Sequence, residues 1–148
     1  MPYRFHCNVF ARPSHASESG IIELRGLQLP TIVARAFDAF LPVTFEQAIE
    51  SLSKLPRLDA EPDGFFVIAG DADGRRWQVD GHLFDFNDRL HRVELHGQCP
   101  PNAFDSLVQC FGWPGATLAF ELVMEGVALE EAAFRQWAAM GTTNGANG

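Results

Sequence analysis

Between Gly64 and Gly97 apolar and polar side chains alternate in three runs, GFFVIAG (Gly64–Gly70), RRWQVDGHLFDF (Arg75–Phe86) and LHRVELHG (Leu90–Gly97). A period of two is the signature of a strand with one face on a core, so the runs predict an antiparallel meander. Asp73-Gly74 in the first connection is a two-residue hairpin signal, and it sets Ile68 opposite Val79 and Phe66 opposite Gly81. For the second connection, a two-residue turn at Asn87-Asp88 would set Leu83 against Arg92 and mix the faces. A three-residue turn, Asn87–Arg89, sets Leu83 against Val93 and Gly81 against Leu95, and is preferred because a one-residue slip inverts every side chain.

Helical spacing appears on both sides of the meander. Thr44 and Gln47 form a T-x-x-Q capping box, with Val43 placed to staple against Ala48. Phe45, Ala48, Ile49, Leu52 and Leu55 then share a stripe up to Pro56. A second helix opens at Asn102 after Pro100-Pro101, carries Phe104, Leu107, Val108 and Phe111, and ends at Gly112. A third is expected from Leu129 to Ala139, with Glu131 four residues before Arg135. TLAFELVM (Thr117–Met124), YRFHCNVF and GIIELRGL read as further strands. TIVARAF fits a strand at its start and a helix through Val33, Phe37 and Phe40, so residues 31–40 stay open between the two. RPSHASES (Arg12–Ser19) is a polar loop, and the Gly-rich tail, residues 141–148, has nothing to bury and is expected to be disordered.

The fold class is therefore α+β: an antiparallel sheet of about five to seven strands around the 64–97 meander, with two to three helices on one face. No repeat or linker divides the chain, and residues 1–140 read as a single domain. Composition agrees, with 148 residues, 47% hydrophobic and 20% charged. Thirteen Phe against one Tyr predict a core of rings that need no hydroxyl partner.

Charge narrows the partners. A net charge of −8 and a pI near 5.0, with no basic run longer than Arg75-Arg76, argue against nucleic acid. The N-terminus lacks a basic segment followed by an apolar one, and there is no apolar run of about 18 residues, so the chain reads as cytoplasmic and not membrane-bound. Cys7, Cys99 and Cys110 are odd in number and far apart, which fits neither a disulfide framework nor a zinc knuckle. Cys110 lies near an apolar stripe and reads as a core residue, while Trp113 in GWPG reads as a core plug in preference to an exposed aromatic anchor. DADG starts like a calcium loop, but Arg76 and His82 stand where that loop needs Gly and Glu. No phosphate-binding, nucleophile-elbow or zinc-protease motif is present, and no cofactor is assigned.

The candidate chemistry lies on the polar face of the meander. The preferred register sets Asp80 opposite His96, His82 opposite Glu94, and Phe84 opposite Arg92, with His91 on the core side. Opposed side chains have Cβ atoms about 4.5–5.5 Å apart, so each acid–histidine pair is within hydrogen-bonding reach. Such pairs suit proton transfer, with His82 as base, Glu94 orienting it, His96 and Asp80 as a second pair, and Arg92 holding an anionic group. The same residues also suit a wet face stabilised by cross-strand charges. Phe65, Val67, Phe84 and Phe86 on that face make it half apolar, which suits a binding surface. The first functional expectation is a small non-catalytic binding domain, a homo-oligomer or the partner of an unidentified protein or small molecule. The alternative is a small hydrolase or isomerase using a histidine–carboxylate pair, with or without a metal.

Overall fold

The alternating runs fold as the meander that their pattern requires. The computed structural model describes residues 2–147, with side chains described through residue 141. Three strands, β5 (Phe65–Ala72), β6 (Arg75–Phe86) and β7 (Arg89–Cys99), pair antiparallel with Ile68 facing Val79, Phe66 facing Gly81, and Gly81 facing Leu95. Gly81 is required here because the Phe66 ring lies across the position a Cβ would take. Asp73 and Gly74 both have positive φ, 52° and 75°, as a two-residue hairpin turn requires.

The second turn differs from expectation. Asn87 and Asp88 form a two-residue turn, both with positive φ (52° and 68°), and Phe86 faces Arg89. A bulge then adds one residue to β7, so that Asp85 faces Leu90 but Phe84 faces Arg92 and Leu83 faces Val93. The apolar register is thus kept by a bulge rather than by a longer turn. The bulge also exchanges two side chains: Leu90 is fully buried in the core. His91, expected beside Val93 and Leu95, instead turns to the opposite face. There its Nε2 lies 2.7 Å from the Phe37 carbonyl oxygen, and its ring meets the edge of Phe10.

Around the meander the chain adds β1 (Tyr3–Ala11), β2 (Ser17–Leu24), β3 (Leu27–Val33), the short β4 (Leu58–Ala60), β8 (Leu118–Leu122) and β9 (Val127–Glu130). Together they make one open antiparallel sheet of nine strands in the order β2-β3-β9-β8-β1-β7-β6-β5-β4. That exceeds the five to seven expected, for three local reasons. GIIELRGL is two strands, because Arg25 and Gly26 take positive φ and turn the chain between β2 and β3. Three-residue β4 is too short to show alternation. Leu129, expected in a helix, lies in β9 opposite Phe120. Residues 31–40 also resolve: β3 ends at Val33 and an irregular segment follows, neither strand nor helix.

Helices α1 (Phe45–Ser53), α2 (Pro101–Gln109) and α3 (Glu131–Asn147) cover one face of the sheet. The Thr44–Gln47 capping box is formed in both directions, at 3.0 and 2.9 Å. The core is a pile of phenylalanines in which Phe134 stacks on Phe120 at 4.2 Å and on Phe104 at 5.5 Å, and Phe104 meets Phe5 edge-on at 5.3 Å. Trp113 packs against this core, and its Nε1 donates to Glu131 at 2.9 Å. No helix among the described residues is long and apolar enough to cross a membrane. The expectation of a disordered tail falls almost entirely on side chains outside the described residues.

On the other face the segment after β3 lays Phe37 and Phe40 against Phe10 and His91, and a small second core of Ala16, Ile32, Ala119 and Ala128 forms beside them. Among the described residues the rest of this face carries no helix.

Candidate functional site

Strand β1 lies between β7 and β8, so its even-numbered side chains join the polar face of the meander. The rows across that face are His6–His96–Asp80, Asn8–Glu94–His82 and Phe10–Arg92–Phe84. Asp80 with His96, His82 with Glu94 and Phe84 with Arg92 are backbone partners as the alternation requires. Their side chains pair differently, because on a twisted sheet the diagonal neighbour in the next row is also within reach.

Glu94 takes His6, not His82: His6 Nε2 and Glu94 Oε2 are 2.8 Å apart, with Nε2 donating. The His6 ring stacks on His96 at 4.1 Å and 11° between planes. Asp80 Oδ1 accepts from Gln78 Nε2 at 2.9 Å. His82 stacks on Phe84 at 4.5 Å and meets the edge of Phe65. Arg92 lies over the Phe84 ring at 3.7 Å and donates to Asn8 Oδ1 at 2.8 Å, and Asn8 Nδ2 donates in turn to Glu121 Oε1 at 2.9 Å. Arg92, the expected anion holder, is therefore engaged by an amide and a ring. Of the expected binding phenylalanines, Phe86 is 66% exposed and Phe65 37% exposed, whereas Phe84 is half-buried beneath Arg92.

A cleft of about 520 Å³ opens at the His96 end of this face. Its origin is an incomplete strand pair: β8 pairs with β1 only from Cys7 onward, so the first half of β1 has no strand on that side. Arg25, from the β2–β3 turn, reaches into the gap. Its Nη1 donates to the carbonyls of Arg4 at 3.0 Å and Trp137 at 2.8 Å, and its guanidinium lies 3.8 Å from the centre of the Trp137 ring. Arg4, Arg25, Arg76, His6, His96 and Trp137 all line the cleft. Burial pulls the Arg25 pKa below its ordinary value, with the nearby Glu125 opposing and Arg4 adding to the effect.

Among the expected site residues only His96 lines the cleft; Asp80, His82, Glu94, Arg92, Phe65, Phe84 and Phe86 lie outside it. His6, Arg4, Arg25, Arg76 and Trp137 were not expected at a site. They come from β1, the β2–β3 turn, β6 and α3, and nothing within one strand reveals the pairing of β1 with β7.

Burial pushes the Cys99 thiol up to about 12, with the Asp105 charge adding, and the Cys110 thiol to about 11; burial raises Cys7 further. At neutral pH all three are protonated core groups rather than nucleophiles. Among the described residues no three His, Cys, Asp or Glu side chains gather as a metal site would require. In comparisons with family models, curated proteins and solved structures, no match to the chain is found.

Proposed function

We propose that the chain is a non-catalytic binding domain that pairs with a second copy of itself through the open part of its helix-free face. The observation that carries this reading is the exposed phenylalanine patch, Phe86 at 66% and Phe65 at 37%, around the His82–Phe84 stack. Large exposed rings on an uncovered sheet face mark an interaction surface. Sedimentation velocity at micromolar concentration should show a dimer that Phe86→Ser returns to monomer. A wild-type chain that stays monomeric defeats self-association.

One observation favours the enzyme as a second reading. His6 lines the cleft and is oriented by Glu94 at 2.8 Å, which is the arrangement of a general base and its positioning carboxylate. Ester or phosphate-monoester turnover removed by His6→Ala but kept by Phe86→Ser would transfer the conclusion to catalysis.

A further inference from the structure

We propose that the arginine-lined cleft beside β1 binds a small dianion of the phosphate-monoester type. Arg4, Arg25 and Arg76 converge there from β1, the β2–β3 turn and β6, and Glu125 is the one acidic side chain in the lining. Three guanidiniums against one carboxylate leave two uncompensated positive charges in a chain whose net charge is −8. An acidic protein that gathers cations in one concavity focuses an attractive field for anions there.

The donors are also free. Neither Arg4 nor Arg76 forms an ion pair among the described residues, while six other acid–base contacts do form. Arg25 spends Nη1 on two backbone carbonyls and is fixed over the Trp137 ring, so its remaining N–H groups are held in place before any ligand arrives. Trp137 is 2% exposed and lines the cleft as a fixed ring beneath Arg25.

The class of ligand follows from charge, fork geometry and size. Two surplus charges match a phosphate monoester, which carries about −1.5 to −2 at neutral pH. Guanidinium forks suit its oxygens, two at a time. A volume of about 520 Å³ exceeds the needs of inorganic phosphate and leaves room for an organic group. Trp137 and the exposed Met124 supply apolar wall for that group. This site is separate from the phenylalanine patch, so it stands whether or not the chain dimerises.

The test is calorimetric titration of the full chain with phenyl phosphate, inorganic phosphate and succinate at constant ionic strength, with tryptophan fluorescence as a second readout. Arg4→Gln and Arg76→Gln alter exposed side chains, and their urea transitions should match wild type. Phenyl phosphate should bind one to one, more tightly than inorganic phosphate and than succinate. Each variant should weaken binding about tenfold, the loss of one charged hydrogen bond. Arg75→Gln, next in sequence but outside the cleft, should leave affinity within about twofold, as expected for a screened exposed charge. Absent saturable binding, succinate binding as tightly as phenyl phosphate, or equal affinity in wild type and both cleft variants would each overturn the proposal.

Discussion

Arg135 ties together four parts of the molecule, and its removal should show how much of the fold depends on one guanidinium. From α3 its Nε donates to Glu131 at 2.9 Å, and its Nη1 lies 2.8 Å from Asp105 on α2 and 3.3 Å from the Tyr3 hydroxyl on β1. Glu131 also accepts from Trp113, which links the turn after α2. The Asp105 contact is close but not aligned as a hydrogen bond, so we count it as Coulombic. Burial pulls the Arg135 pKa down, but Tyr3, Asp105 and Glu131 outweigh it and hold the pKa above its ordinary value. Breaking a fully buried pair costs about 3–5 kcal/mol. Here the side chains of Arg135, Asp105 and Glu131 are 21%, 39% and 34% exposed, so water takes over part of the lost interaction. For Arg135→Ala that leaves about 2 kcal/mol, or a fall in Tm of about 4–8 °C for a chain of this size. Arg135→Lys keeps the charge but not the fork, and should recover about half. Urea unfolding of both variants, with Glu131→Gln completing a double-mutant cycle, should give a coupling of about 1 kcal/mol. A loss under about 0.5 kcal/mol in the alanine variant, or full recovery in the lysine variant, would refute a geometric role for the guanidinium.

Two further outcomes follow from single positions. Gly97 has φ of +148°, and an added Cβ would meet the backbone carbonyl of Gln78 on the next strand. Gly97→Ala should therefore cost more than about 2 kcal/mol in urea unfolding, and a variant as stable as wild type would contradict the β6–β7 register. Burial pushes the Cys99 thiol up from its ordinary 9.0 to about 12 in the folded chain, so the unfolded chain loses its proton first. Its contribution is full below pH 9.0 and disappears as pH rises toward 12. Between pH 8 and 10.5 wild type should lose about 2 kcal/mol more than Cys99→Ala, and equal losses would show the thiol to be accessible.

How much of this was legible follows from how far apart in sequence the deciding contacts lie. Thr44 and Gln47 cap α1 across three residues, and Ile68 meets Val79 through a turn whose Asp-Gly announces it. Both are local, so pattern and turn chemistry suffice. The bulge at His91 is local too, but Asn87-Asp88 supports a two-residue turn while the apolar alternation demands an odd offset. Only a bulge satisfies both, and a bulge leaves no mark in the alternation that a longer turn would not leave as well. Leu129 is ambiguous in sequence because one leucine serves equally well as the first apolar position of a helix or the last of a strand. The ladder partner that decides it, Phe120, sits across a turn with no alternation of its own.

The site was hidden for a stronger reason. Within the meander Glu94 has His82 as its directly opposed neighbour, and reasoning confined to that hairpin places no other histidine across from it. Folding introduces one from 88 residues away, when β1 inserts beside β7 and places His6 on the diagonal from Glu94. His82 then finds phenylalanines on either side, and the ring contacts hold it away from the carboxylate. The same insertion makes the cleft, since β8 is too short to follow β1 to its start and the gap is filled by Arg25 from a turn and Trp137 from α3. A polar face read as two acid–histidine pairs is thus one such pair, two pairs of stacked rings, and an arginine-lined opening beyond them. The chemistry of the face is set by which strand arrives next to the meander, and that is a property of the core face, where Phe5, Cys7 and Val9 are buried, rather than of the polar residues that carry it.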